Sequence, residues 1–122
     1  MARELTSGVA TGNFPPLVGI RTKGNYVKGK VLETGQTANA NPVLTLSLID
    51  MDGETTISPS KGVYTEVSVA EGDRVQIIGT SKQLKGIFPQ LAIGDVVTIT
   101  FLGKKKISGG KTLNEFKVVV ED

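Results

Sequence analysis

Asn25-Tyr26-Val27-Lys28-Gly29-Lys30-Val31 alternates residue by residue, with Val27, Gly29 and Val31 on one side and Tyr26, Lys28 and Lys30 on the other. A period of two is that of a strand with one face buried and one in water. The pattern predicts a strand over Asn25 to Thr34 whose outer face is basic and aromatic. Downstream, the polar loop Gly35 to Pro42 leads into Val43 to Ile49, where Leu44, Leu46 and Leu48 alternate with smaller residues as a second strand. Asp50-Met51-Asp52-Gly53 is turn chemistry, and Val63 to Val69 alternates again.

Gly72-Asp73-Arg74-Val75-Gln76-Ile77 and Gly94-Asp95-Val96-Val97-Thr98-Ile99 share one phrase, Gly-Asp-x-Val-x-Ile, a tight turn feeding a β-branched strand. Between them, Ser81 to Leu84 predicts a short helical turn capped by Thr80 or Ser81 and ended by Gly86 and Pro89. The strand Val96 to Leu102 is followed by a loop, Gly103 to Thr112, and by a last strand, Glu115 to Val120. Residues 1–20, with Pro15-Pro16 and no sustained periodicity, read as an extended arm, so the domain spans 21–122. Five or six short strands, at most one short helix and no strand-helix alternation predict an all-β domain. A closed five-stranded barrel is the expected form, because closure removes unpaired edges.

At 122 residues the chain has room for one core. It has no Cys and no His, which excludes thiol nucleophiles, disulfides, His-dependent catalysis and the usual zinc sites. No enzyme activity is expected. Asp50, Asp52 and Glu54 around Gly53 share the opening of a calcium loop but lack its remaining ligands, and a plain turn explains them. Gly24 to Lys30 has phosphate-loop spacing, yet Val31 follows where Ser or Thr would hold magnesium, and strand alternation runs through it. No metal and no cofactor are expected. No apolar run approaches a membrane span, and Met1 to Ser7 lacks a secretory apolar core, so cytoplasmic residence and no membrane partner are the expectation.

The net charge is only +2, but it is segregated. Arg21, Lys23, Lys28 and Lys30 come with no acid among them, and Arg74 to Lys117 holds eight basic residues against Asp95 and Glu115. Between these blocks, Glu33 to Asp73 holds seven acids and one base. Basic residues also interleave with aromatics: Tyr26 among Lys23, Lys28 and Lys30, Phe88 after Lys82 and Lys85, and Phe101 before Lys104 to Lys106. Single-stranded nucleic acid is bound by this combination, since lysines track phosphates while aromatic faces stack unpaired bases. Phe101 and Phe116, on alternating strands, read as core.

The order Val27-Lys28-Gly29-Lys30-Val31, Leu44 to Asp50, then Gly72 to Gly79 resembles an OB-fold, with a helix and two closing strands to follow. Gly94 to Lys106 followed by Phe116 to Val120 resembles the small single-stranded DNA-binding proteins of bacteriophages. The resemblance implies a sequence-independent groove that coats single-stranded DNA during replication or recombination, without a cofactor. It also implies a homo-oligomer, a dimer first, and replication or recombination proteins as partners, in the host cytoplasm if the chain is phage-encoded. RNA is the other nucleic acid such a groove accommodates. The DNA-binding candidates are Lys23, Tyr26, Lys28, Lys30, Arg74, Lys82, Lys85, Phe88, Lys104, Lys105, Lys106 and Lys111. A second reading, from a different class, is a structural or adaptor barrel, for example in a phage particle, acting through its arm and loops. A third, an oligosaccharide-binding domain, would favour Trp, and the chain has none.

Overall fold

The structure is a computed structural model that describes residues 15–60 and 63–121, with the backbone alone at 58–60. Its strands are β1 (Leu17–Gly19), β2 (Tyr26–Gln36), β3 (Pro42–Asp52), β4 (Glu54–Ser60), β5 (Val63–Glu66), β6 (Arg74–Ile78), β7 (Val96–Lys106) and β8 (Thr112–Glu121). One helix, α1 (Lys82–Ile87), runs into a 3-10 turn at Phe88–Gln90. All eight strands join one sheet in the order β5-β4-β1-β6-β3-β2-β7-β8. Neighbours are antiparallel except β1 and β6, which run parallel.

The chain is therefore all-β, but the sheet is open and the expected closed five-stranded barrel is not formed. β6 meets β3 on one side, and on the other its Gln76 N–H donates to the Pro16 carbonyl at 2.8 Å, with Leu17 opposite Gln76. That position on the outer edge of β6 is already taken, and β8 does not reach it. β1 lies within the stretch read as an arm, and Val18 and Ile20 are core residues, so the sheet begins well before residue 21. The rest of the arm, residues 1–14, lies outside the described residues.

β2 follows its reading, with Val27, Gly29 and Val31 buried. Leu44, Leu46 and Leu48 of β3, Val75 and Ile77 of β6, and Val97, Ile99 and Phe101 of β7 complete the inner face. Removing such side chains from water stabilises by about 1.5–3 kcal/mol each. Gly29 is required by contact: a β-carbon there would stand 2.8 Å from the Ser47 carbonyl oxygen and 2.9 Å from Leu46 Cβ. The β2–β3 register slips between Lys28 and Gly29, where the strands press together.

The repeated phrase builds the same device twice. Gly72 and Gly94 have φ of 92° and 98°, and each following Asp accepts from a backbone N–H three residues back, Ala70 to Asp73 and Ala92 to Asp95, both at 2.8 Å. Glycine tolerates that left-handed conformation without steric cost. One turn then exchanges hydrogen bonds with Leu48 of β3 and the other with Val31 of β2, launching β6 and β7 along adjacent strands.

Helix α1 starts where expected: the Ser81 hydroxyl accepts from the Leu84 N–H at 3.1 Å. It runs through Gly86 into the 3-10 turn instead of stopping there, and Phe88 plugs the core at 1% exposure. Gln83 uses its side-chain amide as a short length of strand, donating to the Phe116 carbonyl and accepting from the Phe116 N–H, both at 2.8 Å. The edge of β8 is covered at that residue.

Two further expectations change. The stretch Val63 to Val69 contributes only β5, whose four residues are all exposed, because β5 pairs at the rim with β4 alone. β4 is not among the expected strands, yet Thr55, Thr56 and Ile57 are β-branched and take strand geometry readily.

Glycine substitution tests this packing from both sides. Gly29→Ala is expected to destabilise the fold by about 1–3 kcal/mol through forced overpacking. Gly86→Ala, with open space around the added methyl, should stabilise it by about 0.5–1 kcal/mol through helix propensity. Chemical denaturation of the two variants checks both signs.

Candidate functional site

Tyr26, Lys28 and Lys30 face outward from β2, as the alternation predicts. Arg74 joins them from β6: Lys30 lies opposite Ser47 of β3, and Ser47 lies opposite Arg74, so two cations flank one serine across three strands. The same pairing brings acids onto this face. Asp50 stands opposite Lys28 and Asp52 opposite Tyr26, and the Tyr26 hydroxyl donates to Asp50 Oδ2 at 2.7 Å. That hydrogen bond, with the nearby charges of Asp50 and Asp52, raises the Tyr26 pKa above its ordinary value. Lys28 pairs with Glu121 of β8 at 3.2 Å, the one ion pair among the described residues. The Tyr26 end of the face is thus carboxylate-flanked, and a phosphate chain would meet repulsion there.

The second basic cluster is a strand hairpin instead of the expected loop. Lys104, Lys105 and Lys106 are the last residues of β7, and only Ile107 to Lys111 form the connection to β8. All three lysines and Lys111 are exposed. Lys104 lies four residues beyond Thr100, the partner of Tyr26, which is about 13 Å along the strand. Lys23 reaches this hairpin from the other side: its methylenes lie 3.7 Å from where a β-carbon on Gly103 would stand. The candidates thus divide into an outer face (Tyr26, Lys28, Lys30, Arg74) and a hairpin group (Lys23, Lys104, Lys105, Lys106, Lys111).

Lys104 also lines a cleft of about 840 Å³ where the sheet fails to close. One wall is β1 with the end of β6, the other β7 and β8, and Leu84 of α1 borders it. Ile77, Phe101 and Phe116 are among its apolar lining, the two phenylalanine rings 5.3 Å apart at centroids. Arg21, Glu54 and Tyr64 line it as well. Tyr64 is 69% exposed, a large ring in water at the end of a short edge strand. Arg21 and Tyr64 are absent from the sequence-derived site. Arg21 belonged to the basic N-terminal block and was open to being found, whereas Tyr64 has one adjacent charge, Glu66 two residues on, and no basic neighbour but Lys61.

Phe88, expected among the binding residues, is buried beneath the sheet against Gly79, so its ring presents no face to a base. Lys82 and Lys85 are exposed on α1, the helix that borders the cleft, but do not line it. The expected turn at Asp50 to Gly53 is reduced to Gly53, because β3 runs through Asp52 and β4 starts at Glu54, and the carboxylates diverge, Asp50 to Tyr26 on the outer face and Glu54 to the cleft. Among the described residues no helix is long and apolar enough to cross a membrane. Comparison of the chain with protein-family models, curated proteins and solved structures found no match.

The Tyr26–Asp50 bond has a spectroscopic consequence. The neutral phenol is favoured in the folded state, so its contribution to stability holds below pH about 10 and is lost as pH rises through the raised folded value. Asp50→Asn removes the acceptor charge and is expected to lower the alkaline midpoint of the Tyr26 absorbance change, read in a Tyr64→Phe background.

Proposed function

We propose that this chain binds single-stranded DNA without sequence preference, through the cleft and the adjoining hairpin. The observation that supports this reading best is the cleft itself: a space lined by Arg21, Tyr64 and Lys104, with one acid, Glu54, and continuing into Lys105, Lys106 and Lys111. Its volume falls within the roughly 300–1,000 Å³ of ligand sites. Bases would stack on Tyr64 and reach the half-buried Phe116, Phe101 staying in the core beneath it, while the cations neutralise phosphates. The outer face contributes at its Lys30 and Arg74 end, where no carboxylate stands opposite.

The strand order β6-β3-β2-β7-β8, with α1 between β6 and β7, agrees with an OB-fold in which the seam between the third and fifth strands is left open. In this reading the chain coats or protects single strands during replication or recombination, with no catalysis of its own. The alternative reading is a structural or adaptor domain that acts through its arm and loops.

Fluorescence anisotropy of labelled oligo-dT over a salt series tests the proposal. Tyr64→Ala should weaken binding by about 5- to 150-fold, the worth of one stacked base at about 1–3 kcal/mol. Replacing Lys104, Lys105 and Lys106 together by Ala should reduce the log-log salt slope by about 2, at about 0.7 per phosphate contact. Tyr26→Ala should change affinity less than about twofold. Absence of binding at low salt overturns the proposal, and a stronger loss at Tyr26 than at Tyr64 moves the site to the outer face.

A further inference from the structure

β8 is the last strand of the sheet and pairs on one side only, with β7. Backbone groups of successive residues in an antiparallel strand point to alternate sides. The Phe116 N–H and carbonyl point away from β7, to Gln83, so those of Val118 and Val120 point the same way. No hydrogen bond among the described residues engages them. Val119 and Val120 are 44% and 43% exposed, so this edge combines backbone groups with no protein partner among the described residues and apolar side chains.

From this edge we infer that a second copy of the chain is its occupant, joined through antiparallel pairing of β8 with β8 about a two-fold axis at Val119. The sequence Lys117-Val118-Val119-Val120-Glu121 reads as self-complementary about its centre. With Val119 opposite its own copy, Val118 faces Val120 of the other protomer, and these are the residues whose backbone groups point outward. On the outer face Lys117 then stands opposite Glu121, whose carboxylate Lys28 of its own protomer also meets at 3.2 Å, and the symmetry repeats that arrangement. A slip of one residue would set outward-pointing backbone against backbone that faces β7, and a slip of two in either direction places Lys117 or Glu121 against Val119. Shifting it toward Phe116 also engages a backbone already bonded to Gln83. Gln83 thereby limits the contact to the final turn-free stretch of β8. A contact this short is smaller than a standard interface, so the dimer is expected to be weak, with a Kd on the order of micromolar or above, and to dissociate on dilution.

The inference does not depend on nucleic acid and is tested without it. The chain has no cysteine, so a single one reports position. Residues directly opposed in a non-hydrogen-bonded pair lie about 4.5 Å apart at Cα, within disulfide reach. Val119→Cys should cross-link to itself under mild oxidation. Lys117→Cys, about 14 Å from its copy along the strands, should not. Sedimentation of the unmodified full chain over a concentration series should show a monomer–dimer equilibrium, weakened by about tenfold in Lys117→Glu, which sets like charges opposite one another. Val120→Pro removes an outward N–H that β7 does not use, and should abolish association while circular dichroism and thermal unfolding remain those of the parent. Equal cross-linking at 117 and 119, or a monomer at every concentration with no cross-link at 119, overturns the inference.

Discussion

A strand edge offers one row of donors and acceptors, and the outer edge of β6 is claimed by β1. The Gln76 N–H goes to the Pro16 carbonyl, and β1 carries β4 on its far side through three residue pairs. β8 cannot take the same edge, so the curled sheet stops short of closure. The cleft lies in that seam, and its walls are the strands that would have met. The free backbone of β8 at Val118 and Val120 has the same origin. A closed barrel would have neither feature, since pairing β6 with β8 would fill the space and satisfy the edge.

Electrostatics on a sheet are set by neighbours that are remote in the chain. Tyr26, Lys28 and Lys30 form an acid-free run in sequence, but β3 brings Asp50 and Asp52 alongside and β8 brings Glu121. An exposed pair such as Lys28–Glu121 is worth about 1 kcal/mol or less, yet it lowers the positive potential a phosphate would encounter. The hairpin differs because its partners are poor in charge: Lys104 lies opposite Asn114, Lys105 opposite Leu113 and Lys106 opposite Thr112. The lysines there keep their field. This contrast favours the hairpin for the proposed binding surface, with the cleft beside it carrying one carboxylate, Glu54, although the stronger local pattern in sequence is on β2.

Local signals were legible wherever the structure is decided locally. The alternation in β2, β3 and β7, the Ser81 cap and the twin Gly-Asp turns follow from period, side-chain hydrogen bonding and positive φ, all of which act within a few residues. β1 and β4 escaped because their pairing is set by partners far away: three residues, Leu17 to Gly19, carry no period, and β4 follows a turn at once. Phe88 looked exposed because lysines precede it, but the 3-10 turn swings its ring under the core. Tyr64 carried no local signal, since its place beside Arg21 and Lys104 is produced by the way the sheet curls.

An open sheet must still protect its two edges from indiscriminate pairing. β5 does so by being four residues long and irregular in its register with β4. β8 does so in parts: the side chain of Gln83 occupies the backbone at Phe116, and Lys117 and Glu121 bracket the valines with charge. A foreign strand would have to match that bracket, with an acid opposite Lys117 and a base opposite Glu121 at a spacing of four. The chain's own β8, reversed, meets that requirement, so the features that exclude other strands are the ones that select a second copy.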